Sequence, residues 1–258
     1  MPELPDLQVF SKNLSKRLKG KEVRDIEVKA GKKLDASEAE LNRSLKGKKL
    51  KDVYRRGKRL FFDFGKDAVL SMHLMLHGKL VLTGEEEVKH SILALRFSDA
   101  PSLLLTDYQK LASVALNPEP DDAVDALSKE LTAEWLRERM SKSKAVIKTF
   151  LMDQKIIGGI GNAYADEILW QARIAPQSIA GKIPEKEAAG LAKAIREVLQ
   201  NAEKQILESH PDIISGEYRD FMAVHGSKIR NSPTGKPVET ARIGGRKTYF
   251  TREQKVYR

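Results

Sequence analysis

The stretch of sequence that decides the fold lies at residues 154–167 and reads QKIIGGIGNAYADE. A helical pattern over residues 143–154 ends in this glycine-rich turn, and a second helical pattern starts beside Asn162. Glycines allow another molecule to approach the backbone closely, and a helix N-terminus offers N–H groups and positive dipole to an anion. Asn162 can cap the second helix or bond a phosphate oxygen, and Lys155 adds a charge nearby. An ordinary helical hairpin with an asparagine cap explains the same residues. The turn alone therefore leaves both the structural and the phosphate-binding interpretation open.

The sequence before this turn predicts one helix followed by a β-rich domain. An amphipathic helix is indicated by apolar residues spaced three and four apart, namely Leu7, Phe10, Leu14 and Leu18. Short apolar runs then follow one another to about residue 117, the longest at 50–64 and 68–83. Many short strands in succession favour an antiparallel sandwich over βαβ units. We therefore expect an N-terminal β-sandwich domain at residues 1–117.

The sequence after residue 117 changes character. Residues 117–122 read NPEPDD and predict a linker, which we place at 118–130. Helical patterns then cover 127–140, 143–154, 163–173 and 185–209. The end of the chain is rich in glycine, lysine and arginine and predicts a small hairpin. The chain is thus expected to be an α+β multidomain protein, with a helical domain at residues 131–224 and a hairpin at 225–258.

The composition points to a polyanionic partner. The chain has 258 residues, and 46 Lys and Arg against 36 Asp and Glu give a net charge of +10. Nucleic acid is the first candidate partner, although a cationic surface that serves solubility explains the charge equally well. The absence of cysteine excludes disulfides, thiolate zinc sites and cysteine nucleophiles. The five histidines show no compact ligand spacing, so we expect them at core or rim positions.

Neither a secretory leader nor a membrane span is expected. The N-terminus lacks an apolar signal region, and no apolar run approaches the ~20 residues that a spanning helix needs. We expect a cytoplasmic, nucleoid-associated monomer.

The N-terminal sequence MPELPD carries a candidate nucleophile. If Met1 is removed, Pro2 becomes a terminal secondary amine, and α-amino groups titrate near pH ~7.7–8.0. A useful fraction is then unprotonated and can attack a sugar aldehyde carbon to form an iminium. Glu3 is next to it and is a candidate to move the required protons. Two prolines that merely stiffen the terminus before a helix are the simpler explanation of these letters.

Two basic segments are candidates for phosphate contacts. Residues 55–59 read RRGKR and precede an apolar strand, which would place the cations on a turn. Residues 228–258 interleave Lys and Arg with Tyr249, Phe250 and Tyr257, a mixture that suits phosphate contacts and base stacking. A solvated charge run and a disordered basic tail are the alternatives.

Taken together and in this order, these features resemble the formamidopyrimidine-DNA glycosylase/endonuclease VIII family of base-excision repair enzymes. Residues 2–5 resemble the family's catalytic terminus, and Lys58 falls at its phosphate-contacting lysine. Residues 159–164 with Glu167 resemble its helix–two-turns–helix motif. Residues 245–250 resemble the finger strand whose arginine, here Arg246, contacts phosphate beside the flipped nucleotide.

The resemblance also has two departures. Most members hold the finger with four cysteines and a zinc ion, whereas the corresponding positions here are Asn231, Thr234, Thr251 and Gln254. This chain therefore resembles the zincless-finger members, and we expect no metal. The residues that fill the gap left by the flipped base also differ.

Many members use Met, Arg and Phe for that gap, and the matching candidates here are Leu76, Gln109 and Leu111. Without the arginine, the reading of an opposite cytosine does not carry over, and neither does the lesion preference.

The resemblance implies a bifunctional DNA glycosylase and abasic-site lyase that acts on damaged double-stranded DNA without a cofactor. The catalytic residues would be Pro2, Glu3 and Lys58, and DNA would be bound by Lys58, Lys155, Asn162 and Arg246. A lesion-binding protein that has lost turnover is the first alternative. A general nucleic-acid-binding architectural protein is the second, and it leaves the terminal Pro-Glu pair without a purpose.

Overall fold

The computed structural model describes residues 1–30, 32–84, 86, 88–120 and 122–258. The chain divides into two compact units, the first formed by Met1–Pro120 with Ile206–Tyr218 and the second by Asp121–Gln205 with Arg219–Arg258. This division differs from the predicted segments, because a stretch of the expected helical domain belongs to the first unit. None of the helices in the described part of the chain is long and apolar enough to cross a bilayer.

The first unit is a β-sandwich preceded by a helix, as predicted. Its elements are α1 (Leu4–Leu18), β1 (Val23–Val28), α2 (Glu38–Leu45), β2 (Asp52–Arg56), β3 (Arg59–Asp63), β4 (Val69–His73), β5 (Lys79–Thr83), β6 (Ser91–Phe97), β7 (Ser102–Thr106) and β8 (Ser113–Leu116). One sheet has the order β1-β6-β7-β5 and the other β2-β3-β4-β8. Every neighbouring pair is antiparallel.

One hydrophobic core joins the two sheets and the N-terminal helix. Phe62 of one sheet, Leu93 of the other and Phe10 of α1 belong to the same buried cluster and are fully inaccessible. The predicted apolar stripe of α1 supplies further members of this cluster. Burial of side chains of this size contributes roughly 1.5–3 kcal/mol each, so the core holds α1 against the two sheets from Leu7 onward.

The second unit contains four helices and a C-terminal hairpin among its described residues. Its elements are β9 (Val124–Asp125), α3 (Ala133–Ser141), α4 (Ile147–Met152), β10 (Ile157–Gly158), α5 (Asn162–Gln171), α6 (Glu185–Ser209, whose last turn is counted with the first unit), β11 (Glu239–Ile243) and β12 (Arg246–Phe250). A short 3₁₀ turn lies at Ala180–Lys182. The strands β11 and β12 form an antiparallel hairpin, as the sequence predicted.

Several details of the predicted layout are different in the structure. The runs 50–64 and 68–83 are each two strands separated by a turn, β2 with β3 and β4 with β5, and the helix expected at 143–154 is shorter, Ile147–Met152. The helix expected from residue 127 begins at Ala133, because the Thr132 side chain caps it by accepting a hydrogen bond from the Trp135 N–H at 3.1 Å. In the predicted linker, Asp121 lies outside the described residues, while Val124 and Asp125 form the short strand β9, which pairs with β10.

Candidate active site and nucleic-acid interface

The amino terminus leads directly into a capped helix. Glu3 is the N-cap of α1, and its backbone N–H donates to the Asp6 carboxylate at 2.8 Å. Pro5 lies in the first turn, where the helix needs no N–H from it. Glu3 is only 5% exposed, so its carboxylate is held among the buried residues beside Pro2. Pro2 and Glu3, the two neighbours predicted to be catalytic, thus occupy a fixed position that is largely shielded from solvent.

The predicted basic turn joins β2 to β3 and lies beside a histidine. Gly57 has a φ of +55°, which lets the chain reverse between Arg56 and Arg59 with Lys58 in the turn. Burial, together with the positive charges of Arg59 and Lys58, lowers the pKa of His73 to about 4. Lys58, Arg59 and His73 therefore lie close together at this turn, an arrangement that suits the binding of an anion.

The histidine in this cluster has a defined tautomer. The backbone N–H of Met75 donates to Nδ1 of His73 at 3.0 Å, so the ring proton of the neutral imidazole is on Nε2. That nitrogen is a donor suited to a phosphate oxygen. The sequence analysis placed His73 at a core or rim position and missed this neighbourhood. The proximity of His73 to the basic turn depends on the strand register. Pairing of Leu60 with Met72 brings the turn opposite the end of β4, and the apolar pattern of the sequence does not specify this pairing.

Two loops of the first unit present apolar side chains to solvent. Leu76 follows β4 and is 58% exposed, while Leu111 follows β7 and is 42% exposed. The loops are joined by the rings of His77 and Tyr108, whose centroids lie 4.7 Å apart at a tilt of 44°. Tyr108 is itself 56% exposed. Large apolar side chains held outward and together are suited to contact with nucleic-acid bases.

A buried carboxylate organises the second of these loops. The Asp107 side chain accepts hydrogen bonds from the backbone N–H groups of Gln109, Leu111 and Ala112 at 2.8–2.9 Å. This arrangement fixes the loop backbone from within and leaves the side chains of Gln109 and Leu111 outside. The three gap-filling candidates therefore lie on two ordered, adjoining loops.

The glycine turn of the second unit is shaped by a glutamine. Gln154 donates from Nε2 to the carbonyl oxygens of Met152 and Ile160 at 2.8 Å each, and its Oε1 accepts from the Gly159 N–H at 3.0 Å. Gly159 has a φ of +110°, a conformation that side-chain-bearing residues rarely adopt. Lys155 lies exposed in this turn, so its ammonium is available at the loop surface.

Asn162 has a different local role from the predicted cap. The N-cap of α5 is Gly161, and Asn162 is the first helical residue. Its Nδ2 donates to the backbone carbonyl of Lys247 at 3.1 Å, whereas its Oδ1 is buried without a hydrogen-bond partner in the described structure. The amide therefore links the helix to the finger hairpin.

The finger hairpin turns tightly beside its candidate arginine. Gly244 and Gly245 have φ values of +55° and +75°, the pattern of a two-residue type I′ turn. A Cβ on Gly244 would lie 2.5 Å from Cγ2 of Thr149, so the tip packs closely on α4. Arg246 is the first residue after this turn and is exposed. Arg246 and Asn162 are brought together, since the Asn162 amide contacts the residue next to Arg246.

A buried ionic network fixes this hairpin to the helices. Nζ of Lys148 donates to the Asp166 carboxylate at 2.7 Å and to the Thr248 hydroxyl at 2.8 Å. The other carboxylate oxygen of Asp166 lies 2.7 Å from Nδ1 of His225 and accepts from the Tyr249 N–H at 3.0 Å. Lys148 and Asp166 have completely inaccessible side chains. The network joins α4, α5 and β12 in one rigid arrangement.

A second buried carboxylate holds the segment that enters the finger. Glu167 accepts from three successive backbone N–H groups, those of Ala223, Val224 and His225, at 2.7–2.9 Å. Burial raises the pKa of Glu167, and these three donors oppose that rise. Glu167, which the sequence analysis included only as part of a motif, is thus a structural anchor.

Comparison with known proteins identifies the family. The N-terminal domain model of formamidopyrimidine-DNA glycosylase matches residues 1–114, and the H2TH domain model of the same enzyme matches residues 123–209. A formamidopyrimidine-DNA glycosylase of Pelotomaculum thermopropionicum is 31% identical over 270 residues, covering 97% of each chain. The chain belongs to the formamidopyrimidine-DNA glycosylase/endonuclease VIII family.

Other relatives extend this family likeness over the whole fold. A Bacillus licheniformis formamidopyrimidine-DNA glycosylase is 31% identical over 277 residues, covering 97% of this chain and 98% of the relative. A solved complex between the LlFpg protein, a THF-DNA and an inhibitor has a TM-score of 0.89 at 27% identity, covering 98% of this chain and all of that one. A complex between the Lactococcus lactis Fpg and abasic-site DNA has a TM-score of 0.86 at 27% identity, covering 96% and 97%.

The finger of this family member has side chains that do not fit zinc. The Thr234 and Thr251 hydroxyls lie 2.7 and 3.2 Å from the same Glu253 carboxylate oxygen. Gln254 accepts from the Thr251 N–H at 2.8 Å and donates to the Ile174 carbonyl at 2.9 Å. Hydroxyl and amide groups that already bond Glu253 and the backbone are not the thiolate or imidazole ligands that zinc prefers. Among the described residues, no group of three or more acidic, His or Cys side chains is placed to hold a metal.

Proposed function

We propose that this chain is a bifunctional base-excision-repair enzyme that releases oxidised bases from double-stranded DNA and cleaves the resulting abasic site. Membership of the formamidopyrimidine-DNA glycosylase/endonuclease VIII family supports the DNA glycosylase part. The lyase part depends on the terminal amine. The observation that carries the proposal is the buried Glu3 carboxylate, fixed by the cap of α1 next to Pro2.

The chemistry follows from these two neighbours. The free amine of Pro2 attacks C1′ of the flipped deoxyribose, and Glu3 assists by protonating the ring oxygen as the base departs. The resulting iminium acidifies the 2′ proton, and β-elimination followed by δ-elimination cleaves the strand. The iminium acts as the electron sink, so the proposed reaction needs no cofactor.

The remaining predicted residues are assigned to DNA. Lys58, with His73 and Arg59 beside it, is proposed to hold phosphates in the first unit. Lys155, Asn162 and Arg246 are proposed to do so in the second unit, where the glycine turn and the hairpin tip present them. Such contacts position the duplex without reading its sequence.

The gap-filling role is proposed for the two adjoining loops of the first unit. Leu76 and Leu111 are exposed and apolar, and Gln109 carries an amide that can both donate and accept. An amide of this kind does not favour one opposite base as strongly as a guanidinium favours cytosine. We therefore propose weak discrimination of the base opposite the lesion. Because the proposed substrate is DNA, we also propose that the enzyme acts at the nucleoid in the cytoplasm.

Covalent trapping tests the proposal. Borohydride should join the protein to a duplex that contains an abasic site, and Pro2→Gly should abolish both trapping and nicking while DNA affinity is largely retained. A panel of duplexes with oxidised purines and oxidised pyrimidines then defines the lesion. Undiminished nicking with no trapped protein would exclude the iminium route, and selective binding without nicking would favour a lesion-binding protein.

A further inference from the structure

The nine residues 210–218 form a segment that is fastened to the N-terminal helix. Nδ2 of Asn13 donates to the Ile213 carbonyl at 2.8 Å. Arg17 donates to the Asp212 carbonyl at 3.1 Å and pairs with the Asp212 carboxylate at 2.9 Å. Both α1 residues are thus used to hold a segment that is 195–200 residues away in the sequence.

The same segment is also held by the sandwich. The Leu80 N–H of β5 donates to the Ser215 hydroxyl at 3.2 Å, and Ile213 packs against the hydrophobic core. The rings of His210 and Tyr218, at the two ends of the segment, lie 4.5 Å apart. Contacts to a helix, a strand and the core leave this backbone little freedom.

This fixed segment places a carboxylate at the chain terminus. The terminal ammonium of Met1 forms an ion pair with Oε1 of Glu217, and both side chains are about one-third exposed, at 35% and 37%. Gly216, immediately before Glu217, has a φ of +92°, so a glycine-specific backbone conformation sets the direction in which Glu217 leaves the segment.

Removal of Met1 moves the terminal nitrogen by one residue, a step of about 3.8 Å between neighbouring Cα atoms. A glutamate side chain has three rotatable bonds and spans such a step by changing rotamer. Because the 210–218 segment is anchored to α1 and β5 by bonds that do not involve Met1, these contacts remain when Met1 is removed.

We propose, on the basis of the function proposed above, that Glu217 is a positioning residue that pairs with the Pro2 amine of the processed protein. The ion pair holds the terminal nitrogen in one direction and favours its protonated form, and the amine attacks after it has lost this proton. The other titratable or charged groups on the elements packed here are Glu3 at the N-cap of α1, Asp6, Lys12, Lys16 and Arg17 of α1, Lys79 of β5, and His210, Asp212 and Tyr218 of the segment. Of these, Asp212 is already paired with Arg17.

The experiment compares Glu217→Gln with Asp212→Asn. Both variants remove one carboxylate from the same segment, but only the first removes the partner of the terminal nitrogen. Mass spectrometry first verifies that Met1 is absent from every protein. The rate of borohydride trapping on a preformed abasic duplex is then measured under single-turnover conditions across the range in which a terminal amine titrates, with DNA affinity measured in parallel.

Glu217→Gln should shift the half-maximal pH downward by about half a unit, the size expected for a partly exposed ion pair. Its maximal trapping rate should fall by about fivefold or more, because the nucleophile is less well oriented. Glu217→Asp keeps the charge, and its profile should lie between those of the wild type and Glu217→Gln. Asp212→Asn should follow the wild type, because Arg17 still donates to the Asp212 carbonyl and Asn13 still donates to the Ile213 carbonyl.

Three results would overturn the inference. A Glu217→Gln profile that superimposes on the wild type would refute it and leave the proposed function intact, and so would an equal shift in Asp212→Asn. Absence of trapping in the wild type would refute the proposed function and this inference with it.

Discussion

Replacement of Asp166 by asparagine is expected to be among the most destabilising single changes in the second unit. The substitution keeps the shape of the side chain but leaves the Lys148 ammonium, which is completely buried, without its carboxylate. Loss of one partner of a buried ion pair costs about 3–5 kcal/mol, because the remaining charge is neither hydrated nor compensated. The carbonyl oxygen of the introduced amide can still accept from the Tyr249 N–H, so the loss is mainly the charge.

A double-mutant cycle with Lys148→Met separates this charge effect from packing. Lys148→Met alone should cost less than Asp166→Asn, since Asp166 keeps His225 and the Tyr249 N–H as partners. The double variant buries no unpaired charge at this pair. Its loss of stability should be smaller than the sum of the single losses by at least about 2 kcal/mol.

Tryptophan fluorescence during urea unfolding measures this cycle in the relevant part of the molecule. The chain contains two tryptophans, Trp135 and Trp170, and both lie in the second unit. The emission change therefore reports the unit that contains the network. If the single effects add to within about 0.5 kcal/mol, the two side chains are not energetically coupled and the argument is wrong.

Three further predictions concern the proposed chemistry, the phosphate grip and the histidine. Glu3→Gln should slow base release about 100-fold or more but slow nicking of a preformed abasic site by less than about tenfold; equal losses in a single-turnover assay would remove Glu3 from base departure. Arg246→Ala should lower the salt slope of DNA binding by about 1. Arg252→Ala, on the same finger, should leave the slope nearly unchanged, and matching slopes for both variants would contradict this assignment. His73 has a pKa of about 4 in the fold against an ordinary 6.5, so the unfolded chain binds its proton more readily. The associated stability, up to about 3 kcal/mol, is present above pH ~6.5 and is lost as the pH falls toward ~4. His73→Asn should flatten this dependence in calorimetric unfolding, and an unchanged pH dependence would contradict it.

The parts of the fold that the sequence predicted are those with a strong local pattern. Helix α6 has the bounds that its periodicity indicated, and the stripe of α1 is buried as its spacing required. The succession of short apolar runs indicated a sandwich, because many short strands in sequence favour antiparallel sheets over βαβ units. The limits of α3 were wrong since one capping side chain, Thr132, outweighed the helical composition before it.

The parts that the sequence did not predict depend on contacts between distant residues. Residues 210–218 have no periodic pattern, and their place in the first unit follows from hydrogen bonds to Asn13 and Arg17. His73 joined the basic turn through strand register, which a pattern of apolar residues does not specify. In the candidate site, the terminal motif and the glycine turn were visible in the sequence because their chemistry is local. The contact of Asn162 with the finger was not visible in the sequence, because it joins residues that are 85 positions apart.

The finger illustrates how a long-range network can substitute for a metal. Zinc contributes folding free energy outright, so a hairpin that loses its thiolates needs another source of order. At one end of this hairpin, Glu253 bridges Thr234 and Thr251, two of the residues that the resemblance matched to zinc ligands. At the other, Lys148 and Asp166 bind Thr248 and the backbone of Tyr249. These bonds connect the finger to the helices as well as within itself, which a zinc ion held by four finger residues does not do. The position of Arg246 should therefore depend on the helical part of the unit, and changes in α4 or α5 should alter DNA binding at the finger tip.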